Sequence, residues 1–503
     1  MSSSSDFEAF AARYGAGEAQ VVSTTLVADL ETPVSAFLKL AADETNAFLL
    51  ESVEGGQSRG RYSMIGLKPD LIFRASGATA EINRTPEQDK TAFVACAEPP
   101  LQALRALLAE SAIDLPEGAP PMAAGVFGYL GYDMVRQMER LGPAKPDPIG
   151  VPEALLIRPT LMVVFDAVKD ELTAVTPVRP KAGVSAQAAF EAALERLETV
   201  VSSLERAIAH PAPEPFHAPV EATSNTTPDA YCAMVEKAKG YIRAGDIFQV
   251  VLSQRFESPF SLPPFSLYRA LRRINPAPFL VYLNFDGFSV VCSSPEILVR
   301  LRDGKVTIRP IAGTRRRGAT LAEDEALASE LLADPKERSE HLMLLDLGRN
   351  DVGRVSKIGT VSVTDSFFIE RYSQVMHIVS NVEGELDPKC GPLEALAAGF
   401  PAGTVSGAPK VRAMEIIDEL ERDKRGIYAG AIGYFGANGE MDTCIVLRTA
   451  VVKDGRMYVQ AGAGIVYDSV PESENQECIN KAKALFRAGE EAVRFAASAR
   501  KGQ

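Results

Sequence analysis

The sequence predicts an α+β chain, with helices and antiparallel strands grouped instead of strictly alternating. Three observations predict it. Asp-Gly pairs at 286–287 and 303–304 separate short apolar runs, as tight hairpin turns do. Helical spacings of three and four fill blocks of their own, notably 184–208 and 228–244. Apolar residues at 46% and charged residues at 24% of 503 give an ordinary globular composition, enough chain for two large domains or about three smaller ones.

Several function classes fall away at once. The net charge of −13 argues against nucleic acid or an anionic membrane as partner. No apolar run reaches membrane-spanning length, and the first 17 residues lack the basic-then-apolar order of a signal peptide, so a cytoplasmic protein is expected. The six cysteines include no C-x-x-C pair, which suits reduced thiols. Four histidines are too few for a histidine-rich metal site.

In chain order, residues 1–20 read as loose. Between 21 and 66 short strands surround one helix at 33–42. A-F-L-L-E-S (47–52) reads as a buried strand with a polar end, and 59–66 as the next strand. A strand pair follows over 72–83, a helix over 100–111, a glycine-aromatic strand over 125–133, and a hairpin from 159–166 and 171–177. The helix at 184–208 carries one stripe, Phe190, Leu194, Leu197, Val201, Leu204 and Ile208. Five prolines within 210–228 then mark a linker, dividing an N-terminal region (20–209) from a C-terminal one (228–492). Beyond it come a helix at 228–244, a strand at 247–256, a short helix at 267–274, and an antiparallel meander over 279–309.

The stretch that concentrates chemistry is D-P-K-E-R-S-E-H-L-M-L-L-D-L-G-R-N-D (334–351). Asp334 suits a helix cap, Pro335 the first helical position and Glu337 a capping-box carboxylate. Glu337, Glu340 and His341 share one face. In 471–487, Glu474 and Glu477 repeat the spacing. Two carboxylates three apart usually make a solvated face, but two such helices could hold one hard divalent cation between them. G-F-P-A-G-T-V-S-G-A-P-K (399–410) opens a helix at 411–421 and offers free backbone N–H groups to an anion, without phosphate-loop spacing. A strand entering Gly462-Ala463-Gly464 permits close backbone approach. Arg448 is a lone cation read inside an apolar strand, able to fork onto a carboxylate. His377 is a lone imidazole in an apolar strand; it is ordinarily a core residue, but it can also be a general base near neutral pH. Together they describe a metal-assisted enzyme acting on a small carboxylate.

The ordered motifs P-I-A-G-T-R-R-R-G (310–318), E-H-L-M-L-L-D-L-G-R-N-D (340–351), Q-V-M-H-I-V-S (374–380), G-F-P-A-G-T-V-S-G-A-P-K and A-G-A-G-I-V-x-D-S-x-P-E-x-E-x-x-E (461–477) resemble those of the chorismate-utilising enzymes. The resemblance implies a large α/β sandwich, with two antiparallel sheets between helical layers and an N-terminal subdomain interleaved with the catalytic one. It implies Mg2+ on Glu340 and Glu477, with Glu337 and Glu474 a turn away. Gly313, Thr314, Tyr428, Arg448, Gly462, Ala463 and Gly464 would bind chorismate, and Thr404 would bond a carboxylate. Glu296 would be the acid for loss of the 4-hydroxyl, and His377 the base for the ring proton.

Within the family, water-activating relatives carry a lysine where this chain has Gln249, and lysine-nucleophile relatives carry one where it has Ala312. The motifs therefore imply attack by ammonia and loss of pyruvate, giving anthranilate for tryptophan biosynthesis. Aminodeoxychorismate synthesis and a non-catalytic tryptophan-binding paralogue are the alternatives. No cysteine sits in a G-x-C-x-G elbow, so ammonia would come from a separate glutamine amidotransferase subunit in a hetero-oligomer, a heterotetramer. Ser52, at the end of L-L-E-S, and Pro278, Phe279 and Leu280 resemble a feedback site for L-tryptophan.

Overall fold

The computed structural model describes residues 4–54, 58–208, 222–372 and 375–498. Most of the expected proline-rich linker lies outside them. The described residues form eleven α-helices and 22 strands, joined antiparallel into one hydrogen-bonded network. The helical covering and antiparallel pairing are those expected. The sheets are linked into one network by long strands that bend. Ser58–Ser76 runs 19 residues and shifts register between Pro69 and Leu71, as a bulge does.

Two seams join the N-terminal strands to the C-terminal ones. Ala47–Glu54 pairs with Phe279–Phe285, and Gly125–Leu130 pairs with Ala431–Gly436. Alternation divides the interior between two faces: Leu49 enters one apolar cluster, Phe48 and Leu50 the other.

The central helix is Pro335–Gly353, capped by Asp334, whose carboxylate accepts from the N–H groups of Lys336 and Glu337. Pro471–Ser498 is the second carboxylate-bearing helix, longer than expected. The loose reading of the first residues is wrong. Ser4–Gly15 is a helix, because Phe7 and Phe10 dock on Phe190, with ring centroids 5.5 and 4.9 Å away. The helix bearing Phe190 is Ala186–Leu204, and its buried stripe includes Val200 in place of the expected Val201. Several elements were not read from the sequence, two of them for clear physical reasons. The helix Leu321–Ala333 spreads its apolar residues around the axis instead of along one stripe, and the strand Ser362–Arg371 breaks register twice against its partner.

Candidate active site

His377 lies on Val375–Glu385, directly across from Thr314 on Ile311–Arg316. That pairing shifts register between Ala312 and Thr314, leaving Gly313 bulged at φ +69°. The bulge aims the Gly313 carbonyl at His377 Nδ1, 2.9 Å away, while Thr314 Oγ1 is 3.2 Å from the same nitrogen. A carbonyl can only accept, so Nδ1 carries the proton and Nε2 keeps its lone pair. Burial pushes the His377 pKa down to about 4, against the upward pull of the Gly313 carbonyl, and Arg448 lowers it further. The imidazole is therefore neutral and oriented as a base at neutral pH. Tyr372 packs edge-on against it, with centroids 5.4 Å apart.

Glu296 sits between the strands Phe288–Ser294 and Ile297–Arg302. Burial raises its pKa, while a hydrogen bond from Thr404 Oγ1 at 2.9 Å and the charge of Arg448 hold it back. Thr404 belongs to the 3-10 turn Gly403–Val405, so the carboxylate that it bonds here is the protein's own. Arg448 is not inside a strand, contrary to the sequence reading. It stands in the break between Met441–Ile445 and Thr449–Lys453, at φ +48°, a left-handed conformation that a β-carbon disfavours. Its charge acts on both Glu296 and His377.

A cleft of about 690 Å³ opens here, lined by Arg448, Tyr372, Glu477, Lys481, Asn275 and Ala277 among others. Glu296 and Thr404 line a smaller cavity of about 40 Å³. Tyr428 is buried, which raises its pKa and keeps the phenol neutral, and the charge of Glu296 adds weakly to that shift. A β-carbon on Gly462 would lie 2.8 Å from the Tyr428 hydroxyl, and one on Gly464 2.6 Å from Gln249 Nε2. Ala463 points to the opposite face, into the core.

The four helix carboxylates are less gathered. Glu337 is held by Arg315 at 3.0 Å, Glu340 receives Gln249 Nε2 at 3.3 Å, and Glu477 is paired with Lys481 at 2.7 Å. Among the described residues no three such side chains are close enough to hold a metal. Burial raises the Glu340 pKa, and the charges of Glu337 and, less strongly, Glu477 add to it. Burial also raises Glu474. Gln249 Oε1, beside Glu340, is buried without a partner. Crowded carboxylates and a free amide oxygen suit a hard cation, provided that a substrate and waters complete its oxygen set.

Sequence reasoning missed Lys481 and Tyr372. Lys481 had a signal, four residues after Glu477 on one helix. It donates to the Gly462 carbonyl at 2.9 Å, tying that helix to the glycine strand. The residues expected to bind tryptophan divide between two faces. Ser52 is directly opposite Phe279, but Leu280 is opposite Glu51 and packs into the other core face.

An arginine at the cleft whose charge reaches a neutral imidazole and a buried carboxyl suits an enzyme that acts on a small anionic substrate. Residues 45–487 match the chorismate binding enzyme family, and the chain belongs to it. It is 59% identical to anthranilate synthase component 1 of Cereibacter sphaeroides, over 99% of each chain. It is 50% identical to that of Pseudomonas putida, covering 92% of this chain and 93% of that one. Anthranilate synthase component I from Streptococcus pneumoniae superposes with a TM-score of 0.74 at 37% identity, over 92% of this chain and 98% of that one. The menaquinone-specific isochorismate synthase of Escherichia coli, at 20% identity over 94% and 95% of the chains and a TM-score of 0.71, shares the fold.

Proposed function

We propose that this chain converts chorismate and ammonia to anthranilate, pyruvate and water. The observation that carries the reading is the pair of opposite proton-transfer groups around Arg448, with Glu296 biased toward its acid form and His377 held neutral. Glu296 gives its proton to the departing 4-hydroxyl as ammonia attacks the ring. The added nitrogen gives up the proton that restores Glu296; His377 Nε2 then takes the ring proton as the enolpyruvyl C–O bond breaks, and the departing enolate takes up one proton to become pyruvate. Arg448, with the backbone at Gly313 and Gly462–Gly464, binds the substrate, and Tyr428 supports the glycine strand. Glu340 and Glu477 would hold Mg2+, with Glu337 and Glu474 nearby. The ion supplies charge neutralisation for the ring carboxylate. Gln249 has no basic nitrogen with which to activate water, which disfavours hydroxylated products.

In this reading residues 228–492 catalyse and 20–209 regulate. The opposition of Ser52 and Phe279 supports a tryptophan site, and the segment leading into Phe279 supplies Asn275 and Ala277 to the cleft. Ammonia comes from a glutamine amidotransferase subunit in a cytoplasmic heterotetramer. Purified chain with chorismate, Mg2+ and ammonium should give fluorescent anthranilate and equimolar pyruvate. Isochorismate, or no product, would overturn the reading.

A further inference from the structure

We propose that Arg425 is a positioning residue for this reaction: it fixes the Thr404 turn, which bonds Glu296, against Tyr428 and the glycine strand that carries Gly462. The inference rests on the reading of the cleft given above. Arg425 lies in the loop between the helix Lys410–Leu420 and the strand Ala431–Gly436, with only 1% of its side chain exposed. Its Nε and Nη2 fork onto the two oxygens of Glu421 at 2.9 and 2.6 Å. Nη1 donates to the Val405 carbonyl at 2.7 Å, and Nη2 to that of Val251 at 2.7 Å. Tyr132 and Tyr428 flank the guanidinium, with centroids 4.7 and 5.5 Å away.

Each partner adjoins a residue of the proposed site. Val405 follows Thr404, the donor to Glu296. Val251 is opposite Gly464. Glu421 also accepts from the N–H and hydroxyl of Ser253, both at 2.8 Å, and Ser253 is opposite Gly462. A buried ion pair is no better for stability than apolar packing would be. The guanidinium is explained instead by its geometry. Several donors in one rigid plane can hold a carboxylate and two carbonyls at once, as a lysine cannot.

The test compares Arg425→Lys with wild type at constant free ammonia. A 1 Å misplacement of the Thr404 turn should lower kcat/KM for chorismate about 100-fold. Weakening the Thr404 bond removes stabilisation of the Glu296 carboxylate, so the alkaline limb of the pH profile should move up. Thr404→Ala should give the same shift, and the double variant should add little to either single change. A folded Arg425→Lys with an unmoved limb, or a double variant with the product of both losses, overturns the inference. If Arg425→Lys does not fold, Tyr132→Leu decides. It strips one ring from the guanidinium and should move the limb the same way by less, whereas an unmoved limb refutes the role. A wild type that makes no anthranilate overturns the functional reading, and the inference with it.

Discussion

Around His377 and Glu296 each group proposed to transfer a proton has a protein partner: Gly313 for the imidazole, Thr404 for the carboxyl. On the side of the two helices the carboxylates are held apart, Glu337 by Arg315 and Glu477 by Lys481, while Glu340 is crowded by like charge. The first side is preorganised by backbone and core. The second has no such core support, and its carboxylates are tied to Arg315, Gln249 and Lys481. The difference places the largest mutational effects where no protein group can substitute for a lost charge.

The helix side is therefore the first to break. Glu340→Gln or Glu477→Gln should lower turnover by about a thousandfold or more, since several kcal/mol of metal-borne stabilisation go with the charge. A steady-state assay at saturating Mg2+ checks this, and near-normal rates in a folded variant would remove the helices from the reaction. On the preorganised side, His377→Ala should cost about 10²- to 10⁴-fold, the usual worth of a positioned base. Because amination comes first, an aminated, non-aromatic intermediate should accumulate and be visible by mass. Loss of anthranilate with no such species would assign His377 to another step.

The pH profile sharpens the same contrast. Burial holds His377 near 4, so the base stays neutral far below the range of a free imidazole. The acid limb of kcat/KM, measured at constant free ammonia, should therefore lie below pH 5. A limb between 6 and 7 would mean a solvated imidazole and an open site.

How much of this was legible in the sequence follows the same division. Asp334, Pro335 and the carboxylate spacing are local signals, and the capped helix formed where they placed it. The motif around His377 fixed the strand, but the Gly313 bulge that sets its tautomer depends on a partner strand some sixty residues away. Arg448 was misread because apolar neighbours on both sides suggested one strand, where tertiary pairing makes two. The initial helix was missed because its apolar face matters only once Phe190 is opposite it.

Gly462→Ala tests the glycine strand, with a smaller effect. The new methyl would meet the Tyr428 hydroxyl at 2.8 Å and the Leu252 carbonyl at 2.9 Å. Overpacking of this kind costs about 1–3 kcal/mol. A lower urea midpoint and a raised KM should appear together. An unchanged KM in a destabilised variant would separate the strand from substrate binding.

The smallest effect on basal turnover belongs to Ser52→Phe, on the strand Ala47–Glu54 and outside the cleft lining. Ser52 Oγ donates to the Tyr62 carbonyl at 3.1 Å, and Gly60 packs so closely that a β-carbon there would lie 2.1 Å from the same oxygen. A phenyl ring cannot take that space and must turn toward Phe279, directly across the ladder. It would then fill the volume proposed for the indole. Inverting a 99:1 population takes about a ten-thousandfold preference for one state, so a plugged site leaves tryptophan no lever. Anthranilate formation without tryptophan should stay within about threefold of wild type, since overpacking at a strand end disturbs packing locally. Inhibition by tryptophan should vanish, and calorimetry should show binding to wild type only. Equal inhibition of both proteins would place the effector elsewhere, and a wild type that binds no tryptophan at millimolar concentration would leave the Ser52–Phe279 pair a purely structural strand contact.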